Sequence, residues 1–159
     1  MRIVRGCVVL LACAGLWGCA STGQFQAYEG PERSASEHAR VNAAVEKSNF
    51  KNMLGGVVVQ TRISCVDGHD TSNYDANGGA PAVLLAPGRH YITVYFTTGK
   101  LLGRSTMWLD AEAGHTYDAR YEQRGQYFRM WIEDQKTARV VGGYVGSEPP
   151  GSAVTNRCK

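Results

Sequence analysis

Three features of this 159-residue chain could do chemistry: five cysteines, four histidines and a short run rich in aspartate and asparagine. A thiol nucleophile needs a base beside it, and His69, His90 and His115 are the candidates for Cys65. No local signature of a cysteine enzyme surrounds that residue. Zinc needs ligands at short fixed intervals, and none of these histidines has metal-pair spacing; His90 and His115 each open a strand after a turn. Asn73, Asp75, Asn77 and Gly78 fit the first half of a calcium loop, with oxygen ligands at alternate positions before a glycine. The closing glutamate would fall at Leu84, and a strand follows where a helix should, so the run reads as a solvated turn. Paired carboxylates, a glycine-rich phosphate loop and a Ser-His-Asp order do not emerge. The expectation is a non-enzymatic protein with no catalytic residue, metal or cofactor.

The N-terminus carries the clearest address. Arg2 and Arg5 precede an apolar run from Val8 to Leu16, the layout of a secretory signal and too short to span a bilayer as a helix. Leu16-Trp17-Gly18-Cys19 then resembles the bacterial lipoprotein signal: an aliphatic residue, a variable one, a small one and the cysteine that is lipidated. The resemblance implies that residues 1–18 are removed and that Cys19 carries a diacylglyceryl anchor, with Ala20 behind it compatible with outer-membrane sorting. Loss of Arg2 and Arg5 leaves 15 of the 17 basic side chains against 14 acidic ones. A nearly neutral chain has no electrostatic footprint for nucleic acid. Cys65 and Cys158 are then the two thiols left, and an oxidising compartment allows them one pairing, across a loop of about 90 residues. A nucleophilic Cys65 would need a dedicated reductant there.

The remaining elements follow from composition and period. Residues 19–33 are small and polar and read as a lipidated tether. Ser34 and Glu37 have capping-box spacing, which predicts a short helix over 34–48 with the small apolar positions Ala39, Ala43 and Val45. From Gly56 the period becomes two, with Thr61, Ile63 and Cys65 on one face and Cys65 directed inward. Pro87-Gly88 suits a type II turn and predicts a hairpin between the strands on either side of it. Alternating runs over residues 90–98, 101–111, 116–121 and 127–134 and a return through 139–141 complete about seven short strands at spacings near ten residues. The expected fold is mainly β, an antiparallel sandwich over residues 56–159 with an irregular tail from Gly142 to Cys158. If the aliphatics face the core, Tyr91, Tyr95, Trp108, Tyr127 and Trp131 form one outward aromatic face, able to stack on sugar rings or anchor a protein unless the tail covers it.

A wider pattern runs through Tyr28-Glu29-Gly30-Pro31, Val66-Asp67-Gly68, Leu85-Ala86-Pro87-Gly88-Arg89-His90 and Gly114-His115-Thr116-Tyr117. It is similar to a group of largely uncharacterised bacterial envelope lipoproteins with small PEGA-like or transthyretin-like (Ig-like) β-sandwich domains. That resemblance implies a lipid-anchored outer-membrane or periplasmic accessory protein, an interaction or envelope-assembly module whose partner is an envelope protein. A cell-wall or surface glycan, held on the aromatic face, is the alternative partner.

Overall fold

The computed structural model describes residues 24–43, 60–76, 78–97, 102–124, 127–147 and 149, without the side chains of residues 123, 124 and 127. The signal, Cys19, residues 44–48 of the expected helix, residues 57–59 of the first expected strand, and Cys158 lie outside them. The described residues form eleven strands and no helix. In chain order these are β1 (Gln24–Gln26), β2 (Ala39–Ala43), β3 (Gln60–Val66), β4 (His69–Asp70), β5 (Ala82–Leu85), β6 (Gly88–Thr97), β7 (Leu102–Ala111), β8 (Thr116–Arg124), β9 (Tyr127–Asp134), β10 (Arg139–Val141) and β11 (Gly143–Tyr144).

They pair into two sheets. Sheet I has the order β1-β5-β2-β8-β9-β10, and sheet II the order β11-β7-β6-β3-β4. Alternation turns Val41, Val83, Leu85, Tyr117, Ala119, Met130 and Ile132 of sheet I toward Ile63, Val66, Ile92, Val94, Phe96, Met107 and Leu109 of sheet II, forming one core in a sandwich-like arrangement. Each fully buried aliphatic side chain there contributes on the order of 1.5–3 kcal/mol.

Several expectations are corrected by pairing partners that lie far away in sequence. Ala39 to Ala43, expected in a helix, is strand β2: Ala39, Val41 and Ala43 are buried while Arg40 and Asn42 face outward. The capping-box residues do meet, with the Ser34 N–H and Oγ both donating to Glu37 Oε2 (3.1 and 2.6 Å), but they close a single turn in which Glu37 N–H reaches Ser34 O. β2 fills the gap between β5 and β8, and burial on both flanks outweighs a weak helical propensity. Its pairing with β8 is parallel, as is that of β1 with β5, so the sandwich is mixed and not antiparallel throughout. β1 also draws part of the expected tether into sheet I.

The Pro87-Gly88 turn joins no hairpin. β5 belongs to sheet I and β6 to sheet II, so this turn is a corner between the sheets, as are the connections from β7 to β8 and from β10 to β11. At the last corner Gly142 has φ +70° and packs so tightly on the Trp108 carbonyl that no Cβ could fit. Beyond β10, the Tyr144 hydroxyl donates to Met130 O (2.5 Å) and accepts from Met130 N–H (3.2 Å), which satisfies backbone groups of β9 that β10 does not reach.

At one end of the sandwich Tyr121 stacks on Phe96 (5.7 Å between centroids) and Phe128 meets it edge-on (4.8 Å). Gly103, opposite Phe96 in the β6–β7 ladder, lies directly under that ring, and a methyl group there would overlap it. Gly103→Ala is therefore expected to lower the unfolding free energy by about 1–3 kcal/mol. A urea midpoint identical to the wild type would show that the ring shifts freely.

Candidate functional site

The residues expected to form one aromatic platform are divided between the two outer surfaces. On β6 and β7, Tyr91 pairs with Trp108 and Tyr95 with Arg104, and these positions alternate with core residues, which puts them on the outer face of sheet II. Trp131 lies between Met130 and Ile132, both in the core, so it faces outward from sheet I. The structure thus brings Tyr91, Tyr95 and Trp108 together and separates them from Trp131; the side chain of Tyr127 lies outside the described residues. Period two tells which residues of a strand share a side. It does not tell which sheet a strand joins, and the corners decide that.

On the outer face of sheet II the Trp108 indole N–H donates to Ser147 Oγ (3.2 Å), Gly143 lies against the ring, and the Arg89 guanidinium sits 5.0 Å from its centroid. Arg89 also forks onto Asp110 (2.7 and 2.6 Å), and this hydrogen bonding holds the Asp110 carboxyl below its usual range. The centre of this face is closed to solvent: Tyr91 is 4%, Thr93 0% and Cys65 6% exposed.

Cys65 was expected in the core and is not there. β3 carries a bulge at Ser64, so that Ile63 pairs with Val94 but Cys65 pairs with Thr93 and turns to the outer face, after which Val66 returns to the core. The bulge is held by the following loop, because Ile63 O accepts from Ala80 N–H (2.8 Å) and Thr71 Oγ (2.6 Å) and Ser64 O accepts from Thr71 N–H (2.9 Å). The Cys65 sulfur is disulfide-bonded. Beside it opens a groove of about 760 Å³ lined in part by Ser64, Asp70, Ser72, Tyr95 and Arg104.

In the loop read against a calcium template the Asp75 carboxylate is engaged within the chain, and Asn77 lies outside the described residues. Asp75 Oδ2 lies 3.4 Å from Arg62 Nε, Asp75 Oδ1 accepts from Gly79 N–H, and Asp70 Oδ1 accepts from Ser72 N–H (2.7 Å). Contacts with Ser72 lower the Asp70 pKa.

Two histidine–aspartate pairs went unnoticed in the sequence. His90 Nδ1 donates to Asp67 Oδ2 (2.6 Å) and its Nε2 to Ala86 O (2.7 Å), while Asp67 Oδ1 accepts from Tyr91 N–H (2.8 Å). Both ring nitrogens face acceptors, an arrangement that the imidazolium satisfies with its two N–H groups, and in that form the ring has no lone pair for a metal or a substrate. Burial opposes that charge most strongly, but the Asp67 hydrogen bond, its negative charge and the Ala86 carbonyl together outweigh it and raise the His90 pKa. His115 Nδ1 donates to Asp134 Oδ2 (2.6 Å), and Asp134 Oδ1 accepts from Lys136 and Thr137 N–H (2.7 and 3.0 Å) in the turn before β10. Burial raises the Asp134 pKa, and these donors together more than reverse it. Both pairs have the same form: an aspartate that opens a turn and a histidine near the start of a strand some 20 residues away in the chain. Each pair fastens a turn to a strand end.

The fold and these contacts define a two-sheet, sandwich-like β domain whose buried polar groups serve its own loops and corners. No protein-family model matches the chain, and no curated protein or solved structure matches it either.

Proposed function

We propose that the chain is a non-enzymatic bacterial lipoprotein, anchored through Cys19 in the outer membrane, with a β domain that serves as an interaction or assembly module for an envelope protein. The observation that carries this reading is Leu16-Trp17-Gly18-Cys19 behind a basic and apolar leader, with β1 beginning only five residues after Cys19. Within the sandwich class, β3 and β5 to β10 are read as an Ig-like or transthyretin-like core to which β1 and β2 add in sheet I. The disulfide of Cys65 is assigned to Cys158, since Cys7 and Cys13 leave with the leader and Cys19 is consumed by lipid. Growth with a labelled fatty acid is expected to label the wild type and not Cys19→Ala; persistent label in the variant would remove the anchor. Stable attachment follows from the number of acyl chains, since one alone binds a bilayer only marginally.

The glycan alternative loses support from the division of its aromatic residues between two opposite faces. A folded double variant with Trp108→Ala and Trp131→Ala is expected to show the same retention on immobilised envelope polysaccharide as the wild type. Loss of retention in that variant would restore the alternative.

A further inference from the structure

We infer that the end of the sandwich carrying Leu102 and Phe128 lies on the bilayer, in contact with the boundary between phospholipid headgroups and acyl chains. This rests on the lipid-anchor reading and adds an orientation to it. The direction follows from the strands: β1 is parallel to β5, β5 antiparallel to β2, and β2 parallel to β8. β1 therefore runs opposite to β8, and its first residue points toward the end where β8 finishes and β9 begins. The start of β1 is held in place, because the Tyr74 hydroxyl donates to the Gln24 carbonyl (2.8 Å) and Phe25 packs edge-on against the Tyr74 ring. Through the ladders, Gln24 stands level with Ala82, Asn42 and Asp118, six residues short of Arg124 at the end of β8. The five residues back to Cys19 span at most ~17 Å when extended. That upper limit on reach extends as far as the level of Gln123 and Phe128, which pair across β8 and β9, and no further along the domain.

At that end stand two of the exposed large hydrophobic residues found among the described residues. Leu102, opposite Thr97 at the end of the β6–β7 ladder, is 74% exposed, and Phe128 is 43% exposed although its ring reaches the core through Phe96. Phe96 stacks with Tyr121 and meets Phe128, so the two residues belong to the same end of the sandwich, one on each sheet. Behind this tip stand exposed Arg104 on sheet II and, on sheet I, exposed Arg129, whose guanidinium lies 5.7 Å from the Trp131 ring centroid. An apolar tip backed by arginines and an indole matches the depth order of a membrane interface, with aliphatic groups deepest and amphipathic ones at headgroup level. On this view Trp131 is an interfacial residue and not part of a sugar platform. A tether of five residues also excludes a domain suspended well clear of the membrane.

The test uses the lipidated full-length protein reconstituted into phosphatidylethanolamine–phosphatidylglycerol vesicles. An environment-sensitive fluorophore is attached at Leu102→Cys and, as a control, at Val140→Cys on exposed strand β10; both sites lie on the surface, so folding is retained. The probe at 102 is expected to be quenched several-fold more by quenchers on the lipid chains than by aqueous iodide, with the reverse order at 140. If mass spectrometry shows the fatty acid on Cys19 but the probe at 102 responds like the one at 140, the orientation is wrong and the anchor stands. A protein without fatty acid on Cys19 overturns both.

Discussion

Replacing Cys65 or Cys158 with serine is expected to lower the unfolding free energy by about 4–5 kcal/mol, and replacing both to cost no more than replacing one. The magnitude follows from the closed loop. A cross-link between these positions removes the closure entropy of about 90 residues from the unfolded chain, and one lost bond cannot be lost twice. Small domains are stable by only about 5–15 kcal/mol, so either variant should unfold at low urea and well below the wild-type temperature. Wild-type protein treated with reductant should superimpose on the variants. The position of Cys65 adds a second readout. It sits on the outer face of sheet II beside Thr93, in the zone where Tyr91 is also buried. Loss of the bond is therefore expected to raise the solvent accessibility of Tyr91, seen as faster quenching or labelling. A silent Cys158→Ser sinks the pairing. If Cys19→Ser instead reproduces the destabilisation, Cys19 is the partner of Cys65 and cannot be the lipidated residue.

The long strands were legible because their apolar residues recur at every second position and nothing else in the chain competes for that pattern. Residues 90–97, 102–111 and 127–134 needed no knowledge of their partners to be read as β. The segment Ala39-Arg40-Val41-Asn42-Ala43 fits either period, since Ala39 and Ala43 share a helical face and Ala39, Val41 and Ala43 share a strand face. Its choice was made by β5 and β8, which lie some 40 and 75 residues away in the chain. Ser64 shows a different limit. The alternation Thr61, Ile63, Cys65 is unbroken in the sequence, and only the contacts from Thr71 and Ala80 reveal that a residue is inserted and Cys65 reversed. The aromatic platform failed for a third reason, because a glycine-bearing turn reads the same whether it joins neighbours in one sheet or crosses to the other. The two histidine–aspartate pairs escaped because each histidine was weighed as a metal ligand or a base for Cys65, and its nearest carboxylate lies 19 or 23 residues off.

Asp67→Ala is expected to cost about 3–5 kcal/mol at pH 5.5, because it removes the partner of a buried charge. It also strips the acceptor from Tyr91 N–H and places alanine at φ +48°, a backbone region that aspartate and asparagine tolerate better. The pH dependence separates these effects. In the wild type the folded-state pKa of His90 is raised above its ordinary 6.5, since the Asp67 and Ala86 contacts together exceed the opposing effect of burial. The folded chain then holds the proton more tightly than the unfolded one. Its contribution to stability is fully present below pH 6.5 and is lost as pH rises through the folded pKa. Asp134 does not interfere in this window, because its lowered pKa makes its contribution fall only as pH drops below the carboxylate range. Without the Asp67 charge, burial dominates, and protonation of His90 now opposes folding. The slope of stability between pH 5.5 and 8 should therefore change sign, with the variant gaining stability as pH rises where the wild type loses it. Asp67→Asn keeps an acceptor for Tyr91 N–H and suits the positive φ, so it should recover much of the deficit at pH 8 and little at pH 5.5. Equal deficits at both values for Asp67→Asn would mean that the loss is one of turn geometry, and that His90 carries no charge in the folded protein.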